Sequence, residues 1–285
     1  MSTDKSDTFA VAHMGAEAPD VESIYVHATG FCKELWLPVV RQVEESGGLH
    51  ASAAMLVDQR GHGDSTPFAG PLLWDLVARD VVEALRDVPG PVVGIGHSGG
   101  GAAVARAEIL SPGTFSTLVL IEPIVYPPPF ERRDLFLAVG AEKRRRTFAS
   151  RSEARQRFSD GPFSEWDDEM LDLYVDHAFR HADGGWTLKC EPSVEAECYR
   201  QGSNVDTWDR LGEIGSRVVV VTGETTDSHQ EPYLSILVDR FRDATSIVVD
   251  GVGHLAPMED PARIGRLIAD VLSSGGRGEA AGTIA

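Results

Sequence analysis

Residues 91–101 read Pro-Val-Val-Gly-Ile-Gly-His-Ser-Gly-Gly-Gly, and this segment is the clearest indication of the fold. An apolar, β-rich run ends directly in the pattern Gly-x-Ser-x-Gly, and a helix-like segment follows. A sharp strand-to-helix turn strains its central residue and needs small neighbours, which Gly96, Gly99 and Gly100 supply. The pattern predicts that Ser98 is a nucleophile beside helix N-terminal amides, which favour negative charge. By itself the stretch leaves open a glycine-rich turn with an idle serine.

Short apolar runs alternate with helical patterns along most of the chain. Continuous apolar strands of this length are typical of a parallel sheet covered by helices on both faces, so we predict an α/β fold. The predicted strands are Ser23 to His27, Ala53 to Asp58, Pro91 to Gly96, Leu118 to Ile121, Arg217 to Thr222 and Ser246 to Asp250. The predicted helices are Leu35 to Glu45, Leu72 to Arg86, Gly101 to Leu110, Pro232 to Arg242 and Pro261 to Ser273.

The alternation breaks between about Tyr126 and Asp206, where charged and aromatic segments of helical period follow three prolines. We interpret residues 126–206 as a helical cap inserted into a core of residues 1–125 and 207–285. Ligands of such sheets bind beyond the carboxyl ends of the strands, so an insertion at that edge would cover Ser98. The predicted cap elements are helices at Arg132 to Phe148, Ser152 to Phe158 and Asp167 to His181, followed by a turn at Asp183-Gly184-Gly185 and by Glu191 to Tyr199 as the segment that closes the insertion.

The composition of the chain indicates what kind of protein it is and which partners are unfavourable for it. The 285 residues, 42% hydrophobic and 25% charged, suffice to bury a full core. The first 20 residues lack a signal-peptide pattern and no apolar run approaches the roughly 20 residues of a membrane span, so we expect a cytoplasmic protein. A formal net charge of −18 disfavours nucleic acid and membrane surfaces as partners. Three cysteines without a Cys-x-x-Cys pair argue against a disulfide framework and a zinc site.

Two further segments supply an acid and a base for Ser98. The strand ending at Thr222 leads into Gly-Glu-Thr-Thr-Asp, which puts Asp227 just past a carboxyl edge, and the next strand leads to His254 in the same way. Nucleophile, acid and base therefore follow one another in that order on one edge of a parallel sheet. The base must activate the hydroxyl, and the acid must orient the base and stabilise its charged form.

Four segments together resemble the α/β-hydrolase superfamily, and the resemblance extends over nearly the whole chain. It implies an α/β-hydrolase fold with an inserted helical cap and a serine-nucleophile, esterase-like activity. The segments are the oxyanion loop His27-Ala28-Thr29-Gly30-Phe31 with Trp36, the turn Asp58-Gln59-Arg60-Gly61-His62-Gly63-Asp64-Ser65, the stretch around Ser98, and Gly253-His254 with Pro257 and Asp260-Pro261.

The resemblance implies a role for each triad residue: Ser98 as nucleophile, His254 as general base and acid, and Asp227 as orienting acid. The acid loop is one residue longer than the common form, so Glu224 competes with Asp227. Glu122, which follows the strand Leu118 to Ile121, occupies another position where such folds place the acid.

The resemblance also implies that the backbone amides of Thr29 and Gly99 form the oxyanion hole. Ala28 replaces a glycine that is usual in the family, which leaves Gly30 as an alternative to Thr29. His27, His62 and His97 are expected to be structural rather than catalytic.

The implied reaction is hydrolysis of a small-molecule carboxylic ester or lactone through an acyl-enzyme. No metal or organic cofactor is expected, and a homodimer remains open. Two alternatives stay open: carbon–carbon bond hydrolysis of a diketone-like substrate with the same triad, or a non-catalytic ligand-binding receptor on the same scaffold.

Overall fold

Parallel strands occupy the centre of the molecule, as the apolar runs predict. The computed structural model describes residues 11–67, 74–128, 132–182, 184–201, 206–274 and 283–284. The strands are β1 His13–Gly15, β2 Ser23–Val26, β3 Ala54–Val57, β4 Val92–His97, β5 Phe115–Ile121, β6 Thr147–Phe148, β7 Phe179–Ala182, β8 Gly185–Leu188, β9 Arg217–Gly223, β10 Ala244–Val249 and β11 Thr283–Ile284. The α-helices are α1 Leu37–Glu45, α2 Trp74–Ala84, α3 Gly99–Leu110, α4 Arg132–Lys143, α5 Arg151–Ser159, α6 Asp168–His177, α7 Pro192–Gln201, α8 Thr207–Arg210, α9 Tyr233–Val238, α10 Ala256–Glu259 and α11 Pro261–Ser273.

The main sheet brings the carboxyl ends of its central strands to one edge. Its strand order is β1-β3-β2-β4-β5-β9-β10-β11, and every neighbouring pair is parallel except β1 with β3. Val26 pairs with Gly96, and Ile121 pairs with both His97 and Val221. The carboxyl ends of β2, β4, β5 and β9 are therefore level. The predicted α/β architecture, a mostly parallel sheet covered by helices on both faces, is confirmed.

The run of four valines in β9 shows why the central strands are continuously apolar. Val218 and Val220 pack into the core on the side of α2, α3 and α9, while Val219 and Val221 pack on the side of α1 and α11. Each of the four is at most 1% exposed. Burying a valine contributes about 1.5–3 kcal/mol relative to leaving it in water, so both faces of the strand stabilise the sheet.

The segment between β5 and β9 contains α4 to α7 and a small antiparallel sheet of order β6-β8-β7. The small sheet corrects two predicted helices. The helix expected over Arg132 to Phe148 ends at Lys143, and the helix expected over Asp167 to His181 ends at His177. Strand pairing prevails in both tails because Thr and Phe favour strands, and Thr147 pairs with a threonine of β8 through their hydroxyls at 3.1 Å. Asp183 of the predicted turn lies outside the described residues.

The structure also bears on the predictions about membrane spans and disulfides. Within the part of the chain that the structure describes, no helix has both the length and the apolar character needed to cross a bilayer. Cys32, Cys190 and Cys198 are buried free thiols, in agreement with the prediction that the chain has no disulfide framework.

Candidate active site

Ser98 lies on the turn that joins β4 to α3, as the glycine pattern predicts. Its φ of 52° is in the left-handed region, where a non-glycine residue is strained. The backbone packs so closely here that a Cβ on Gly100 would lie 2.1 Å from the Val26 carbonyl oxygen, and one on Gly96 would lie 2.5 Å from the Gly100 oxygen. The Ser98 amide donates to the Ile121 carbonyl oxygen at 2.9 Å, which fixes the turn against β5.

The structure brings His254 to Ser98, as their positions after β10 and β4 predict. His254 Nε2 lies 3.1 Å from Ser98 Oγ, so a hydrogen bond connects base and hydroxyl. The His254 ring is 30% exposed, while Ser98 is 7% exposed. His97 Nε2 donates to the His254 carbonyl oxygen at 2.8 Å and holds the loop in place. Burial lowers the pKa of His97 to about 3, so this ring is neutral and structural, as expected.

The carboxylate at the far side of His254 belongs to Glu122 and not to Asp227. His254 Nδ1 lies 3.0 Å from Glu122 Oε2, and the Glu122 side chain is fully buried. Asp227 is exposed because Thr226 and Ser228, its neighbours on the loop after β9, turn inward. Glu224 is also exposed, and it accepts a hydrogen bond from the Gly251 amide at 2.9 Å. The placement expected for Asp227 is therefore corrected to Glu122.

Hydrogen-bond donors surround the Glu122 carboxylate. Oε1 accepts from the Gly223 amide at 2.8 Å, and Oε2 accepts from the hydroxyls of Thr226 at 2.8 Å and Ser228 at 3.0 Å. Burial alone would raise the pKa of this carboxyl, but hydrogen bonds and charge from His229 and His254 outweigh it and hold the pKa well below its usual range. Glu122 is therefore ionised. Its φ of 49° is strained like that of Ser98.

His229 was not identified from the sequence. Its fully buried ring lies 2.8 Å from Glu122 Oε2 through Nδ1, and 3.0 Å from the Pro123 carbonyl oxygen through Nε2. A histidine two residues after Asp227, at the same sheet edge, was the signal that could have found it. The ligand atoms of Glu122, His229 and His254 lie within 4.8 Å of one another, a spacing compatible with a metal ion. Each histidine nitrogen of this group already has a hydrogen-bond partner, so we interpret the group as a hydrogen-bonded network.

The loop after β2 faces the start of α3. A Cβ on Gly99 would lie 3.4 Å from the Thr29 amide nitrogen and 2.6 Å from Thr29 Oγ1. Gly30, at φ +87°, faces the insertion instead, because a Cβ there would lie 3.0 Å from Glu195 Oε1. This geometry favours Thr29 over Gly30 as the partner of Gly99. Among the described residues, the buried Thr29 hydroxyl has no hydrogen-bond partner.

The turn over residues 58–65 packs against the loop after β2 and holds it in place by hydrogen bonds. Asp58 accepts hydrogen bonds from the Lys33 amide and from Lys33 Nζ, both at 2.7 Å. The Gln59 amide donates to His27 Nε2 at 3.1 Å. Burial lowers the pKa of His27 to about 4 and that of His62 to about 3, so both rings are neutral at pH 7. Both histidines thus have the structural role that the sequence analysis expected.

The insertion packs on the loops that flank Ser98. Phe31, next to the Thr29-Gly30 segment, contacts Trp166 and Tyr174 with ring centroids 5.3 and 5.8 Å away. The Asp167 amide donates to the Met258 carbonyl oxygen at 2.9 Å, close to the His254 loop. A small cavity near the turn at Ser98 is lined by Trp74, Ile124, Tyr126 and Trp208 together with the polar side chains of Arg106 and Thr207.

Comparison with known proteins places the chain among hydrolases of this fold. A family model described as "Alpha/beta hydrolase family" matches residues 24–267. The abhydrolase domain-containing protein ACTT2 of Alternaria alternata is 28% identical over 216 residues, which cover 63% of this chain and 82% of that protein. The structure of E-2-(acetamidomethylene)succinate hydrolase matches with a TM-score of 0.77 at 18% identity, over 92% of this chain and 94% of that one. The Mycobacterium tuberculosis esterase Rv0045c matches with a TM-score of 0.73 at 20% identity, over 93% and 89%.

Proposed function

The chain belongs to the alpha/beta hydrolase family, and from this premise we propose that it is a serine hydrolase that cleaves a carboxylic ester or lactone. The proposed triad is Ser98, His254 and Glu122. One observation carries the proposal: an unbroken series of hydrogen bonds runs from Ser98 Oγ to His254 Nε2 at 3.1 Å and from His254 Nδ1 to Glu122 Oε2 at 3.0 Å. Geometry of this kind, rather than position in the sequence, identifies a triad.

Each residue has a defined part in the proposed reaction. His254 takes the Ser98 proton as Oγ attacks the substrate carbonyl carbon, and Glu122 stabilises the imidazolium that results. The amides of Thr29 and Gly99 donate to the oxyanion, and the position of Gly99 at the start of α3 adds the favourable field of a helix N-terminus. His254 then protonates the leaving alcohol. Water, activated by the same base, hydrolyses the acyl-enzyme and restores Ser98.

The surroundings of Ser98 support an uncharged, mainly apolar acyl group as substrate. The apolar and aromatic side chains of Trp74, Ile124, Tyr126 and Trp208 lie near the turn at Ser98, beside Arg106 and Thr207, and they favour apolar groups. The net charge of −18 repels anions. We further propose that the insertion acts as a cap, because its aromatic residues pack on Phe31 and its backbone bonds to Met258.

The test is the hydrolysis rate of p-nitrophenyl esters with acyl chains from acetyl to decanoyl, for the wild type, Ser98→Ala and His254→Ala. We expect turnover in the wild type and a loss of rate of at least about 10³-fold in each variant. The variant that carries both substitutions should lose no more rate than either single variant, because the two residues act as a unit. Circular dichroism of each variant shows whether it is folded.

A fluorophosphonate probe separates the alternatives. It should label the wild type and leave Ser98→Ala unlabelled. Labelling without ester turnover would reject the ester hydrolase in favour of carbon–carbon bond hydrolysis or ligand sensing. Turnover retained in folded Ser98→Ala would reject the nucleophile itself.

A further inference from the structure

The hydroxyl of Thr29 is a buried polar group on the loop after β2, beside the turn at Ser98. The residue is 6% exposed. Among the residues that the structure describes, no group forms a hydrogen bond with its Oγ1 atom. Buried hydroxyls are nearly always hydrogen-bonded, and an unpaired one is unfavourable for the fold. The presence of this hydroxyl is therefore not explained by stability.

The hydroxyl lies against the residue that follows the proposed nucleophile. A Cβ on Gly99 would lie 2.6 Å from Thr29 Oγ1 and 3.4 Å from the Thr29 amide nitrogen. Carbon and oxygen atoms that are not bonded do not approach each other to 2.6 Å, so only a glycine at position 99 leaves room for the hydroxyl. Both polar atoms of Thr29 therefore lie close to Gly99, whose amide is the other proposed oxyanion donor.

The groups around the hydroxyl are donors and an aromatic ring. The same point above Gly99 lies 3.1 Å from Cη2 of Trp74, and the Trp74 side chain is buried. Gly99 is the first residue of α3, and the first amides of a helix have no partner within it. A negatively charged oxygen is the group that would satisfy the amides and the hydroxyl together.

The other hydroxyls at this edge of the sheet already have partners. Ser98 Oγ lies 3.1 Å from His254 Nε2, and Thr226 and Ser228 donate to Glu122 Oε2. The Thr29 hydroxyl differs from all three, because its partner is missing in the resting protein. A partner would be present only while an oxyanion exists.

We propose that the Thr29 hydroxyl is a third donor of the oxyanion hole, beside the amides of Thr29 and Gly99. As Ser98 Oγ bonds to the substrate carbonyl carbon, an electron pair of the C=O bond moves to the carbonyl oxygen, and the Ser98 proton passes to His254. Thr29 Oγ1 donates a hydrogen bond to that oxygen and keeps its proton. When the carbonyl forms again and the alcohol leaves, the hydroxyl is unpaired once more. The inference rests on the proposed function.

A donor that finds its partner only in the transition state raises kcat without tightening the binding of substrate. Removal of one oxyanion donor lowers kcat by about 10²- to 10³-fold. Because two amides remain in this protein, we expect a loss near the lower end of that range. The side chain of Thr29 is then a catalytic group.

The experiment compares kcat and KM for p-nitrophenyl ester in the wild type, Thr29→Val and Thr29→Ser. Valine keeps the shape of threonine and lacks the hydroxyl, so kcat should fall by about 10²-fold while KM changes by less than about twofold. Serine keeps the hydroxyl and should recover most of the rate that valine loses. A wild-type kcat in Thr29→Val would overturn the inference, and so would a kcat in Thr29→Ser as low as that of Thr29→Val.

Unfolding by urea separates catalysis from a structural role. Since the hydroxyl has no partner in the resting protein, Thr29→Val should unfold at a urea concentration equal to or higher than that of the wild type. A less stable Thr29→Val would mean that the hydroxyl supports the fold, which contradicts the inference. Ser216→Ala is the matched control, because the Ser216 hydroxyl is also buried without a partner among the described residues but directly precedes β9, at the opposite end of the strand. Its kcat should equal that of the wild type.

A fluorophosphonate probe tests the third donor without ester turnover. The phosphoryl oxygen of the probe gains negative charge in the same hole when Ser98 attacks phosphorus. The rate of labelling should therefore fall by at least about tenfold in Thr29→Val and stay unchanged in Ser216→Ala. If the wild type is labelled but does not hydrolyse esters, the ester hydrolase is rejected, and the labelling rates still decide the role of Thr29. Equal labelling of the wild type and Thr29→Val would overturn the third donor alone.

Discussion

The loops after β5 and β9 leave the same edge of the sheet, yet they contribute different groups to the site. The β5 loop supplies the buried carboxylate of Glu122, while the β9 loop, which carries the acid expected from the sequence, turns Asp227 to solvent. From the β9 loop come donors instead: Thr226, Ser228 and His229 all contact Glu122 Oε2. The comparison indicates that a carboxylate can serve as the acid of a triad where buried donors keep it ionised. Its position in the sequence is a weaker predictor of that role.

The strongest test of this division exchanges each carboxylate for its amide. Glu122→Gln should lower kcat by about 10³- to 10⁴-fold, because an uncharged side chain can neither orient His254 nor stabilise its charged form. Asp227→Asn should stay within about twofold, since changes to exposed side chains have small effects. The measurement is kcat on the best p-nitrophenyl ester for both variants.

Glu224→Gln is the control for the same experiment, because Glu224 is exposed and bonds only to the turn after β10 among the contacts described. Its kcat should match that of the wild type. If Asp227→Asn or Glu224→Gln loses more activity than Glu122→Gln, the acid lies on the β9 loop and the assignment of Glu122 is wrong.

An intermediate effect is expected when the carboxylate is kept but shortened. Glu122→Asp withdraws the oxygens by one methylene from His254 Nδ1, now 3.0 Å away, while retaining the charge. A misplacement of about 1 Å can cost about 10²-fold in rate, so kcat should fall by about that factor. The unfolding free energy, measured by urea titration, tests whether the variant is intact. A wild-type kcat would mean that the position of this carboxylate does not matter.

Much of the fold followed from the sequence, because continuous apolar strands and glycine-rich turns leave few alternatives. The helix Pro261–Ser273 has the predicted bounds, and Ser98 lies on the predicted turn. The edge strands His13–Gly15 and Thr283–Ile284 were missed because they are too short to show a period. The small sheet of the insertion was missed because its strands follow directly on helical patterns.

The sequence favoured Asp227 over the alternative Glu122, which the structure places against His254, for a different physical reason. Nothing in the sequence tells which of three carboxylates turns inward, since that depends on donors from a distant loop. The partners of Glu122 are more than 100 residues away in the sequence. They are Thr226 and Ser228 on the loop after β9, and His254 after β10. Its positive φ of 49° likewise shows only in the folded backbone. Local sequence patterns predict which residues lie at the edge of the sheet. Tertiary contacts determine which of their carboxylates points toward His254.

The smallest expected effect concerns the donors of the β9 loop. Ser228→Ala removes one hydroxyl, which lies 3.0 Å from Glu122 Oε2 and 3.1 Å from His254 Nδ1, and leaves the bond from Thr226 to Glu122 in place. One such bond contributes about 1 kcal/mol, so kcat should fall by about fivefold. Ser273→Ala, which removes a hydroxyl bonded to the Ala269 carbonyl oxygen on α11, is the control and should leave kcat unchanged. We expect the Ser228 hydroxyl to act through Glu122 and not through its direct contact with His254 Nδ1, so Ser228→Ala should have no further effect in the Glu122→Gln background. Additive losses in that double variant would mean that the loop acts on His254 by another route.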